Sequence, residues 1–245
     1  MASWPDPRTI TSPAASATRT GAGDVAFDAG LRAYMLKVYN YMASGVLLTG
    51  IVAMLFASSG YAASIMSGGP LKWLIILSPL AIVFAMSFGQ NKFSTGTLQA
   101  MFWGFATLMG LSMSTLFLVY TGQSIAMTFF ATAAGFAGLS LYGYTTQKDL
   151  SGWGSFLIVG VIGLLVAMVI NIFLQSTMMQ LAISAIGVLI FAGLTAYDTQ
   201  RIKSMYAYVA GTDMVGKVVI MSALNLYLDF INMFQFLLSF MGNRE

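Results

Sequence analysis

Seven stretches of this chain are apolar enough, and about long enough, to cross a lipid bilayer, and no other feature restricts the fold as strongly. A hydrocarbon core of about 30 Å takes roughly 20 apolar residues of helix. Inside it the backbone finds no water, so each N–H and C=O must be satisfied within the segment, which selects helices. Hydropathy sets the stretches at Val38–Ala57, Trp73–Phe88, Leu98–Tyr120, Ile125–Tyr142, Phe156–Leu174, Met178–Tyr197 and Val218–Met241. Short connections punctuated by Gly, Ser, Thr and Asn join them. Only 8% of the 245 residues are charged and 58% are hydrophobic, whereas soluble domains run about 25% charged. The expected fold is all-α, a polytopic membrane domain of seven helices over residues 28–245. Met1 to Phe27, rich in Ser, Thr, Ala, Gly and Pro, has no apolar core of a signal peptide and reads as a disordered cytosolic tail.

The bases set an orientation. Arg8, Arg19, Arg32, Lys37, Lys92, Lys148, Arg201, Lys203 and Lys217 fall on the amino-terminal side, and only Lys72 and Arg244 on the other. Basic loops stay in the cytosol, so the amino terminus is expected inside and the carboxy terminus outside. The surplus of bases is thus a topology signal. No basic run is dense enough for nucleic acid, and the partners expected from composition are membrane lipids.

Two of the eight acids, Asp198 and Asp229, lie in the sixth and seventh stretches, and no other stretch has an acid in its interior. An ionisable group at a helix centre in a bilayer costs about 2.5–3.5 kcal/mol on insertion scales, so such groups face a partner, a cavity or an ion path. Asp229 is twelve residues past Lys217, about 18 Å along a helix, at mid-bilayer depth. Asp198 looks shallower unless the sixth helix continues past Arg201. Ile202, Met205, Tyr206 and Val209 prolong an apolar stripe at helical spacing up to the turn Gly211–Gly216. There a glycine can close one helix and Thr212 or Asp213 cap the next. The midpoint between the two aspartates coincides with the midpoint of that turn, so a continuous helix places both at one height in a hairpin. A break at Arg201 would leave them roughly a dozen Å apart in height, and Arg201 could instead neutralise Asp198 in a salt bridge.

In the seventh stretch Ser222, Asn225, Asp229 and Asn232 recur at steps of three and four, on one side of a helix. Amides and a hydroxyl around a carboxylate suit a proton, a cation or a water chain, although hydrogen bonds that merely join helices follow the same pattern. Two carboxylates held close titrate as a coupled pair. Sharing one proton they latch the helices. Both ionised, they repel or draw a hard cation such as Ca²⁺, which makes Asp198 and Asp229 candidate metal ligands. Histidine and cysteine are both absent, excluding imidazole switches, thiolate sites and Ser-His-Asp catalysis. No cofactor is expected, with Ca²⁺ a permeant ion.

Gly104, Gly110, Ser114, Ala131, Gly135, Gly138, Gly160 and Gly163 allow close helix packing in spans three to five. Leu141–Lys148 echoes Leu194–Arg201, 53 positions later, with Thr145 aligned to Asp198. A two-span unit used twice would produce such an echo, as would chance in a low-diversity sequence.

The segments Gly193-Leu194-Thr195-Ala196-Tyr197-Asp198-Thr199-Gln200-Arg201-Ile202 and Ala223-Leu224-Asn225-Leu226-Tyr227-Leu228-Asp229-Phe230-Ile231-Asn232, with Gly242-Asn243-Arg244 after them, resemble signatures of the Bax inhibitor-1 family. Val38–Ala43 and Gly110–Ser114 resemble two weaker segments, so the likeness runs from about Leu31 to the end. It implies a bacterial inner-membrane protein of seven helices, with a central span surrounded by the others. It also implies that Asp198 and Asp229 form a pH-sensitive pair governing a calcium or cation leak. Some members close the pore with a basic residue in the second span. That span has none here, and Lys92 at its end is the nearest substitute.

The resemblance also permits a regulator that engages a membrane-bound ATP-dependent protease or cell-survival machinery, with the Met1–Phe27 tail as its handle. An intramembrane aspartyl protease would pair Tyr197-Asp198 with a second acid. Asp229 lies in Leu-Tyr-Leu-Asp, without the Gly-x-Gly of such enzymes, and no Pro-Ala-Leu follows. The chain is not expected to be an enzyme.

Overall fold

A computed structural model describes the backbone of residues 13–243. The described residues form eight α-helices and one short 3-10 segment, with no β-strand: α1 (Pro13–Ser58), α2 (Tyr61–Met66), α3 (Pro70–Gly89), α4 (Thr95–Met113) continued by the 3-10 turn Ser114–Leu118, α5 (Gly122–Thr145), α6 (Ser151–Leu174), α7 (Thr177–Val209) and α8 (Val215–Met241). Seven are long and apolar enough to cross a membrane, all but the six-residue α2, and they coincide with the seven expected stretches.

Helix α1 differs from the expectation at its start. Its backbone is helical from Pro13, so the stretch 13–27, expected to be disordered, is a helical extension of the first span. Proline presets the first turn of a helix, and the alanines after it have the strongest helix propensity. Met1–Thr11 and Ser12, the rest of that expected tail, lie outside the described residues, as do Arg244 and Glu245.

Helix α8 is the most enclosed, with 67% of its apolar window buried against at most 33% in any other span. It packs on α7, α1, α5 and α4, while α3 packs chiefly on α4 and α6 chiefly on α7. Its core side chains Leu224, Leu226, Tyr227 and Leu238 are almost wholly buried.

Small residues set several helix separations, but not always the expected ones. A β-carbon at Gly110 would lie 2.8 Å from the Thr49 carbonyl oxygen of α1, and one at Gly160 3.0 Å from Ile190. Gly104, Gly135, Gly138 and Gly163 meet open space. Those four face away from protein neighbours and set no helix approach. The closest approach to the backbone of another helix falls instead at Gly143, where a side chain would run into the Ala196 backbone, so α5 and α7 meet two residues from Asp198.

Buried hydroxyls tie the bundle. Thr49 Oγ1 donates to the Ala106 carbonyl oxygen at 2.8 Å and lies 2.6 Å from the Tyr227 hydroxyl. The single threonine proton goes to the carbonyl, so Tyr227 is the donor to Thr49. At the other end of α8 the Asn243 N–H donates to Ser124 Oγ at 2.9 Å, and its carbonyl accepts from the Thr121 N–H.

Candidate functional site

The site is built by the α7–α8 hairpin. Helix α7 runs unbroken through Arg201 to Val209, as the apolar stripe after Asp198 requires. Gly211 closes it at φ +74°, a left-handed conformation that costs glycine little. Thr212 and Asp213 do not cap α8, whose N-cap position is Met214. Thr212 Oγ1 instead donates to the Val209 carbonyl and accepts from the Met214 N–H, bracing the turn itself.

The continuous α7 brings Asp198 and Asp229 together, each within hydrogen-bonding reach of the other. A bond between two carboxyl groups needs one of them to carry a proton. Asp229 is buried and Asp198 half-buried. The Asp229 Oδ2 atom is buried without a hydrogen-bond partner. A buried carboxyl oxygen without a partner is costly, and its natural satisfiers are a proton, a water or a cation.

Arg201, one turn beyond, is exposed. Its charge bears on Asp198 from a distance, and among the described residues the two form no contact ion pair. Lys203 points away from the pair: its Nζ donates to the Tyr144 carbonyl at 2.8 Å and lies 4.9 Å over the Tyr144 ring. Lys92 is exposed in the turn between α3 and α4. Among the described residues no three of His, Cys, Asp and Glu gather, so the pair has no third acidic partner.

The expected polar face of α8 divides. Ser222 is buried 3.5 Å from the Tyr34 hydroxyl of α1. Asn232 donates to the Leu228 carbonyl of its own helix at 2.8 Å, so its amide serves the backbone. Asn225 is half-buried, one turn before Asp229 on the same face.

Hydroxyls on neighbouring helices, which sequence reading missed, flank the site. Thr199, next to Asp198 and fully buried, donates to Ser140 Oγ of α5 at 3.4 Å. Its hydroxyl also lies 3.5 Å from that of Tyr39 on α1. Tyr39 falls inside the segment Val38–Ala43 singled out above, but no periodicity connects it to α7. Gln200 also acts locally: it accepts from the Leu150 N–H and donates to the Lys148 carbonyl, both at 2.8 Å, pinning the α5–α6 connection to α7.

The sequence echo ends in two different structures. Its first copy closes α5 at Thr145, while its second continues as helix through Arg201, which is why Thr145 is exposed at a helix end and Asp198 lies in the interior.

Comparison with known proteins converges on one family. Residues 31–245 match the family described as inhibitor of apoptosis-promoting Bax1. The inner membrane protein YbhL of Escherichia coli is 42% identical over 220 residues, covering 89% of this chain and 94% of that protein. Uncharacterized protein RP147 of Rickettsia prowazekii is 49% identical over 220 residues, covering 89% and 93%. An uncharacterized protein of Caulobacter vibrioides is 46% identical over 236 residues, covering 91% and 93%.

Proposed function

Because this chain belongs to the Bax inhibitor-1 family of membrane proteins, we propose that it is a pH-sensitive calcium or cation leak pathway gated by Asp198 and Asp229. The observation that carries this reading is the placement of two carboxyl groups side by side between α7 and α8, one with a buried oxygen lacking a partner. With one shared proton, the pair holds the two helices together. When that proton leaves, two neighbouring like charges in a low-dielectric interior repel, and a cation reaching the pair relieves the repulsion. Calcium is the cargo here. The pair supplies too few oxygens to retain an ion that takes six to eight, which suits passage rather than storage.

The proposed setting is the bacterial inner membrane, the place named for the relative YbhL, with the amino terminus in the cytosol and the carboxy terminus outside. What supports this reading is that Lys217 Nζ donates to the Asn91 carbonyl and Lys203 Nζ to the Tyr144 carbonyl, so that three helix connections share one end.

Calcium flux into liposomes containing the purified protein, from pH 5 to 8, tests the proposal. The parent is expected to leak in a pH-dependent way that Asp198→Asn or Asp229→Asn alters. Flux no greater than that of empty liposomes at every pH would refute the channel and leave a partner-binding role.

A further inference from the structure

A groove separate from the aspartate pair opens between α1 and α5, which make no extensive contact with each other. It encloses about 880 Å³, and Phe230 of α8 contributes to its lining. Its walls run from Arg32 to Leu47 on α1 and from Tyr144 to Phe129 on α5. Fifteen residue steps of helix on either side give a length of about 22 Å. One leaflet of a bilayer, headgroups included, is about 20–22 Å thick. The groove is therefore as long as one leaflet is deep.

Its polarity is graded in the same sense. Arg32 and Tyr144 stand at one end with Ser140 one turn in, Tyr39 lies midway, and only apolar side chains line the other end, around Leu47 and Phe129. Lys203 adds a second cation at the polar end, held against Tyr144. A cationic mouth above an apolar slot of leaflet depth matches one class of molecule in the surrounding membrane. We propose that the groove between α1 and α5 seats one anionic phospholipid, its headgroup at Arg32 and Lys203 and an acyl chain lying along the slot toward Leu47 and Phe129. The seat adjoins the carboxyl pair without including it: Ser140 in its wall accepts from Thr199, the neighbour of Asp198, and Phe230 directly follows Asp229 on α8. Lipid seating stands whether or not that pair gates an ion.

The absence of cysteine makes the test direct. Ala137, exposed within the groove, is replaced as Ala137→Cys and labelled with a fluorophore in the full chain. The protein is reconstituted with phosphatidylglycerol or phosphatidylcholine brominated along the acyl chains. Quenching is expected to favour phosphatidylglycerol about fivefold in apparent affinity, the preference one basic side chain at an anionic surface supplies. Arg32→Gln, a change at an exposed position, is expected to reduce that preference, and Arg32→Gln combined with Lys203→Gln to bring the two lipids to parity. Equal quenching by both lipids in the parent, or an unchanged preference in Arg32→Gln, would overturn the proposal. So would a disulfide-linked dimer through the unlabelled Ala137→Cys, since a second copy would then cover the groove.

Discussion

Phe191 stacks on Phe236 with ring centroids 5.8 Å apart, and the same step of seven residues leads from Phe191 to Asp198 and from Phe236 back to Asp229. Seven residues are two helical turns, so the ring pair and the carboxyl pair share one seam and one register. The rings hold that register whatever the protonation of the acids. Replacing an aspartate therefore changes charge and leaves the helix alignment in place.

The first prediction follows from that separation. Calcium flux through the parent rises from pH 5 to pH 8, as the shared proton is lost and the latch opens. In Asp198→Asn and Asp229→Asn, one partner cannot ionise, so mutual repulsion never develops and the flux no longer depends on pH over that range. Liposome flux measurements check both slopes.

A second prediction concerns the clamp between α8 and α1. Tyr227→Phe removes the proton given to Thr49 but keeps the ring among Phe102 and Phe105. The expected loss is about 1 kcal/mol. Thr49→Val strands both the tyrosine hydroxyl and the Ala106 carbonyl, and is expected to cost more, about 1–3 kcal/mol. Thermal unfolding in one detergent should rank parent, Tyr227→Phe and Thr49→Val in falling order.

The α5–α7 contact supplies a third. Gly143→Leu places a branched side chain against the Ala196 backbone, which cannot give way as a flexible side chain would. Overpacking of this kind costs about 1–3 kcal/mol. Gly138→Leu, in open space on the same helix, is expected to leave the melting temperature unchanged.

Outside the membrane, Asp149 accepts from the Ser151 N–H at 2.9 Å, and hydrogen bonds from Ser151 hold its carboxyl below the ordinary range. A lowered carboxyl stabilises the fold above its unfolded pKa, and that contribution disappears as pH falls through the lowered folded value. The group is fully exposed, so the effect is small and local. Its carboxyl titration, followed by NMR, should have a midpoint below that of an aspartate in an unstructured peptide, and Asp149→Asn should remove the low-pH step.

Topology is checkable with single cysteines. Asp213→Cys, in the α7–α8 turn, should react with a membrane-impermeant thiol reagent only from the cytosolic side of sealed vesicles. Gly68→Cys, in the connection before α3, should react only from the other.

Much of this arrangement was legible in the sequence because a bilayer leaves few alternatives. Apolar length alone locates all seven spans, and the stripe Ile202–Val209 is enough to keep α7 continuous and bring Asp198 level with Asp229. The hydroxyl contacts were not legible. Tyr39, Ser140 and Thr199 come from three helices, and helical periodicity describes one helix at a time. The small residues misled for the same reason: Gly138 and Gly143 lie on one helix and look alike, and only the position of α7 makes the second one indispensable. The start of α1 was missed because Ser, Thr and Gly near Pro13 suggest disorder, while a helix already nucleated by its membrane span extends at low cost.

The attachment of α6 has a mechanical consequence. It packs chiefly on α7, faces lipid over most of its surface, and has its leading turn pinned by Gln200. The two helices form a plank, one edge carrying Asp198 and the other wetted by acyl chains. Tilting α7 therefore means dragging α6 sideways through the bilayer, against its lateral pressure. Membrane thickness and tension become part of the work of opening, so the same protein is stiffer or looser according to the sheet of lipid that holds it.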